Sequence, residues 1–107
     1  MEELMIFMKA QKKENDYDAN AIFSDGKVVI KAGSKISPKV NINFKMAKQI
    51  IKLRENKEYI DENLILKDME FESLSRAACF VAGYSVNGRN AWKTQNGKSI
   101  KYILEEN

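Results

Sequence analysis

The apolar and polar positions divide this chain into short segments. Leu4 to Ala10 is rich in β-compatible apolar residues and predicts a first strand. Gln11 to Asp18 is polar and charged and reads as a loop. Two apolar runs follow, Ala19 to Ser24 and Lys27 to Ala32, with Asp25-Gly26 between them. An Asp-Gly pair between two such runs predicts a hairpin, because both turn positions favour positive φ. Gly33-Ser34 closes the second strand. Ile36 to Asn43 contains the only proline, Pro38, and reads as a connection.

The period then changes. At about 100° per residue, Phe44, Met46, Ala47, Ile50, Ile51 and Leu53 fall on one half of a helix. Lys45, Lys48, Gln49, Lys52, Glu55 and Asn56 fall on the other. This predicts a long helix over 44–59, with Asn41 or Asn43 available as its N-cap. Asn63 to Asp68 reads as a further strand and Met69 to Glu72 as a short loop. A second helix is predicted over 74–82, with Ser73 as N-cap and Gly83 as the left-handed stop. Asn87-Gly88 and Asn96-Gly97 mark turns. Ser99 to Glu105 predicts a closing helix with Ile100, Ile103 and Leu104 on its apolar side. Strands and helices in this order give an α+β fold: one domain over 1–107, with a mostly antiparallel sheet of three to five strands. One long and one or two short helices pack on it.

Composition changes the picture mainly by exclusion. The chain has 107 residues, 44% hydrophobic and 31% charged, as suits a globular domain. It has no histidine and one cysteine, which removes Ser-His and Cys-His pairs, imidazole ligands and thiolate zinc clusters. Cys79 lies in an apolar helical run and reads as a core residue. Met1-Glu2-Glu3 is acidic and the apolar run behind it is short, so neither a signal peptide nor a membrane span is expected, and the expected setting is cytoplasmic. Asp16, Asp18 and Asp25 match no cation-binding loop, and no metal or cofactor is expected.

Net charge is +3 but unevenly spread. From Lys27 to Lys57 there are nine lysines and arginines against one acid, Glu55, which leaves the rest of the chain net acidic. Such a segment suits an anionic partner, and equally a solvated surface. On the predicted first helix, Lys45, Lys48 and Lys52 form the outer stripe.

The richest chemistry lies between Phe71 and Lys98. Backbone amides at the start of the second helix, with Ser73, Ser75 and Arg76 in the first turn, would suit a phosphate or carboxylate. Ser73 is also explained as a plain cap. Asn87-Gly88 turns the chain and places Arg89, Asn90, Trp92 and Lys93 together. Trp92 beside these cations would suit stacking on a base, with the cations on phosphate and Asn90 on an adenine edge. A lone tryptophan in a small domain is more often a core residue.

The run Phe71-Glu72-Ser73-Leu74-Ser75-Arg76-Ala77-Ala78, then Gly83, Ser85, Asn87-Gly88, Trp92-Lys93 and Gly97-Lys98, resembles domain-of-unknown-function family 4357. That pattern is F-x-S-P-S-x-A-A, G-x-S-x-N-G-W, a second W-K and G-K. It is similar to the wider restriction enzyme and adenine methyltransferase associated domains. The resemblance covers residues 62–105 as the family-like core and, more loosely, the hairpin at 18–35. It implies a non-catalytic module that engages DNA, including modified DNA, beside nucleases or methyltransferases. Residue by residue it carries over to Ser73, Ser75, Ala77, Ala78, Gly83, Asn87, Gly88, Trp92 and Lys93. Leu74 stands where the family has proline, and Arg89 where it has its first tryptophan. No nuclease or methyltransferase domain accompanies the module, so it is expected to act alone or in trans.

The expected function is therefore DNA binding without catalysis. A protein-interaction or dimerisation module is the second reading, and a small enzyme the last.

Overall fold

The computed structural model describes residues 3–13 and 15–105; Met1, Glu2 and residue 14 of the expected loop lie outside the described residues. Six strands and four helices follow in the order β1 (Leu4–Gln11), β2 (Asp16–Ser24), β3 (Lys27–Ile30), α1 (Ala47–Arg54), β4 (Ile60–Asp61), β5 (Leu64–Ile65), β6 (Met69–Phe71), α2 (Leu74–Ala82), α3 (Gly88–Ala91) and α4 (Ile100–Glu105). The α+β class is as expected.

A four-stranded antiparallel sheet is ordered β1-β2-β3-β6. The β2–β3 hairpin turns at Asp25 and Gly26, with φ of 55° and 80°, and Ser24 sits opposite Lys27. This is the mirror-image turn that suits strand twist. Beyond Ile30 the chain leaves β2 and rejoins it at Lys35, whose N–H donates to the Asp18 carbonyl at 2.8 Å and whose carbonyl accepts from Asp18 N–H at 2.9 Å. The buried Ser34 hydroxyl bridges that bulge, accepting from Asn20 N–H and donating to the Asn20 carbonyl. The small β4–β5 hairpin continues the pairing past the bulge, through Lys35 opposite Leu64.

Three expectations need correction. The segment read as a loop to Asp18 holds the first residues of β2, because Tyr17, Ala19 and Ala21 alternate inward over the core. Met69 to Glu72 is not merely a loop: Met69–Phe71 forms the edge strand β6 against β3. The long helix over 44–59 shrinks to the eight residues of α1. Phe44 to Met46 are turn, and neither Asn41 nor Asn43 caps α1; the Asn41 side chain instead accepts from Asn43 N–H. At the other end Asn56 turns the chain, its Oδ1 accepting from Glu58 N–H. That local bond competes with helix continuation.

The core lies between one sheet face and α2. Ile6, Met8, Ala19, Ala21, Val28 and Ile30 point inward from the strands. From α2, Ala77, Ala78, Phe80 and Val81 meet them, and Cys79 is buried as expected. The small Ala side chains bring the helix axis close to the sheet. The Phe71 and Phe80 rings sit 5.0 Å apart, a contact worth about 0.5–1.5 kcal/mol beyond its buried area.

Candidate functional site

The start of α2 interlocks with α3. Ser73 is extended, and its Oγ accepts from Arg76 N–H at 3.1 Å, the N-cap that the sequence predicts. Ser75 Oγ accepts from Gly88 N–H at 3.1 Å. Asn87 caps the single turn of α3 by accepting from Arg89 N–H at 3.0 Å. Gly88 is buried against the first turn of α2, and a Cβ there would lie 2.3 Å from the Leu74 carbonyl carbon. Only glycine lets these two backbones approach so closely.

Trp92 completes this joint. Its ring is 0% exposed, and Nε1–H donates to the Leu74 carbonyl at 3.0 Å. The tryptophan thus has no free face for a base, which decides between its two sequence readings in favour of the core. Ser75, Gly88 and Trp92 hold α2 to α3, while Ser73 and Asn87 each cap one of the two helices. Arg76, Arg89, Asn90 and Lys93 are exposed around that joint. Arg89 lines a hollow of about 300 Å³ with Phe23, Ser73, Ser75 and Leu104.

Lys45, Lys48 and Lys52 are exposed, but the structure does not bring them to this group. Arg54, at the end of α1, meets the carbonyls of Phe80 and Val81 at the C-terminal end of α2. This anchors the end of α1 at the opposite end of α2 from the Ser73 joint, about 13 Å along the helix axis. Lys45 precedes α1 rather than lying on it.

Arg54 is the residue that charge counting misplaced. It is not part of a basic surface. Its guanidinium donates to the carbonyls of Ser37, Phe80 and Val81 and lies 5.6 Å from the centre of the Phe80 ring. Burial lowers its pKa to about 10, still well above neutral pH, so it stays charged beside the negative end of the α2 dipole. A heptad-like position between Leu53 and Glu55 gave no signal for this role.

The basic segment is also partly neutralised by acids distant in sequence. Lys31 reaches Asp68 at 2.7 Å, Lys35 reaches Asp16 at 2.7 Å and Lys27 approaches Glu70 at 3.8 Å. Lys31 and the Ala32 N–H hold the Asp68 carboxyl below the usual range. Among the described residues, no three of His, Cys, Asp and Glu gather to hold a metal ion, and no helix is long and apolar enough to cross a membrane.

Residues 9–104 match the family described as domain of unknown function 4357. The chain belongs to that family. The match extends well beyond the 62–105 core and the 18–35 hairpin that carry the sequence resemblance, so the family's unit includes the bulge and α1 as well. No curated protein and no solved structure matches the chain.

Proposed function

We propose that this domain is a non-catalytic module that binds nucleic acid, DNA in particular. The observation that carries the reading is a contrast among its cations. Lys27, Lys31, Lys35 and Lys67 each stand within ion-pair distance of a carboxylate. Lys45, Lys48, Lys52, Arg76, Arg89 and Lys93 are exposed, and none pairs with a carboxylate among the described residues. Cations left without an internal carboxylate are suited to phosphate, whose contacts dominate nucleic-acid affinity. The resemblance to restriction-associated domains supports a role beside a nuclease or methyltransferase, with base modification as a feature to be read.

Fluorescence titration with plain and adenine-methylated duplexes and with single strands, at about 50 mM salt, tests this reading. Salt-sensitive binding to at least one of them is expected; no binding to any overturns it.

One observation favours a second reading, a protein-interaction or homodimerisation module. The sheet face away from α2 carries Met5, 58% exposed, next to the half-buried Ile22 and Val29. A dimer whose association is indifferent to salt, seen by light scattering, would favour it.

A further inference from the structure

A further concavity lies at the outer edge of β1 and shares only Lys93 with the sequence-predicted residues. There the backbone after Trp92 folds back on the sheet: Phe7 and Lys93 exchange two backbone hydrogen bonds, at 2.8 and 2.9 Å. Thr94 N–H donates to the Lys98 carbonyl, Gly97 turns at φ 80°, and Lys93 bridges to Ser99. The 93–99 loop thus forms a wall beside β1. Between wall and strand runs a groove of about 620 Å³, lined by Phe7, Lys9, Tyr17, Lys93, Thr94 and Gln95 among others. A neighbouring hollow along Leu4 and Met5 shares Thr94 and Gln95 with it, which lengthens the track along the strand.

The lining chemistry is selective. The chain has 15 acidic residues, yet no carboxylate lines this groove. Two lysines and the half-buried Phe7 do, together with an amide and a hydroxyl side chain, while the buried Tyr17 exposes little surface. Lys9 and Lys93 are exposed and pair with no carboxylate among the described residues. Among the described residues, Lys93 Nζ donates to the Asn90 carbonyl, a contact open to exchange with a ligand oxygen. An occupant that suits this lining is anionic and carries flat apolar groups.

Its shape selects further. Proteins that read a duplex push a helix or a β-ribbon into a groove of the DNA. A concave site does the reverse: the nucleotide comes into the protein. That requires a base released from its pair, on a single strand or extruded from a duplex. We propose that the groove between β1 and the 93–99 loop seats a single strand of nucleic acid, with its backbone on Lys9 and Lys93 and a base against the half-buried Phe7. The proposal rests on the nucleic-acid reading above and moves its centre from Trp92, which is buried, to the groove beside the following residue.

Fluorescence anisotropy on the whole chain tests it, with a labelled oligothymidylate of about 12 residues, an abasic strand of the same length and the matching duplex. The variants are Lys9→Glu/Lys93→Glu and, as a charge-matched control, Lys12→Glu/Lys101→Glu. All four side chains are exposed, and circular dichroism confirms that each variant folds. The wild type is expected to bind oligothymidylate roughly tenfold or more tightly than the abasic strand, since stacking contributes strongly per base. The groove variant is expected to lose roughly tenfold, and the control clearly less. Amide shifts at Lys9, Lys93 and Gln95 in an NMR titration should accompany binding. Equal affinity for the abasic strand, preference for the duplex, or a groove variant that binds like wild type overturns the proposal while the nucleic-acid reading stands. No binding to any of the strands removes both.

Discussion

The two principal helices, α1 and α2, have nearly equal lengths and opposite fates. Of the nine residues of α2, seven are buried; of the eight of α1, only Ala47 and Ile50 are. α2 opens on a side-chain cap at Ser73 and closes on Gly83 in the left-handed conformation, with φ 81°. α1 opens at Met46 with no side-chain cap and leaves Leu53 40% exposed. A helix of this length is marginal alone, so its stability comes from its packed face. α2 has such a face along its whole length. α1 is held at its last residue by Arg54, which ties it to the end of α2. The difference separates two kinds of surface: the start of α2 is closed by packing, whereas α1 leaves lysines in water.

The comparison breaks most sharply at Trp92. Trp92→Ala should cost about 3–5 kcal/mol in urea unfolding, because it empties a core site and strips the Leu74 carbonyl of its donor. A cost near that of an ordinary surface change would mean that the α2–α3 joint is not where the stability lies. Arg54→Met comes next, at about 2–3 kcal/mol, since it leaves three carbonyls without their charged donor. It should also loosen α1 selectively, seen as faster amide exchange at Ile50 and Ile51 than in the core of α2.

The caps sharpen the contrast on a smaller scale. Ser73→Ala should destabilise by about 1 kcal/mol, the usual worth of an N-cap. Asn43→Ala should change stability by less than about 0.5 kcal/mol, because α1 draws no cap from it. Similar losses at the two sites would erase the distinction between the helices. The smallest effect is expected at Asp68. Its carboxyl titrates below the ordinary aspartate range in the folded chain, so the stabilisation is present above that range and fades as pH falls through the lowered value. Asp68→Asn should flatten that acid limb slightly and leave the neutral region almost unchanged. A steeper acid limb in the variant would contradict the pairing with Lys31.

How far the sequence foretold this molecule follows the same division. α2 was readable because its period, its Ser cap and its Gly stop agree, and local and tertiary preferences point the same way. The Asp25-Gly26 hairpin was readable for the same reason. β2 was hidden at its start because Asp16 and Asp18, a residue type depleted in strands, flank Tyr17 there. β4 and β5 turn at Glu62, a residue with side chain held at φ 55°, where turn rules favour glycine or asparagine. β6 exists only by pairing with β3. At the candidate site, the cap of Ser73 and the exposure of Arg76, Arg89 and Lys93 were legible. The core reading of Trp92 was legible too; the burial of Gly88 was not, because spacing along the chain does not say whether a turn faces water or another helix. The acids that neutralise Lys27, Lys31 and Lys35 lie beyond the segment that defined its charge, on β2, β6 and the turn before β6. The groove beside β1 gave no signal, since its two walls are more than 80 residues apart in the chain.

The central claim, that the cations without a carboxylate partner serve a polyanion, is tested most directly by the salt dependence of binding. Titrations of the wild-type chain against labelled single-stranded and duplex DNA across about 50–200 mM salt should give log affinity falling linearly with log salt, with a slope of about −0.7 per phosphate contact on a single strand. A measurable slope that shrinks when Lys9 and Lys93 are reversed is the predicted result. An affinity that does not change with salt, or no binding at the lowest salt, would contradict the account.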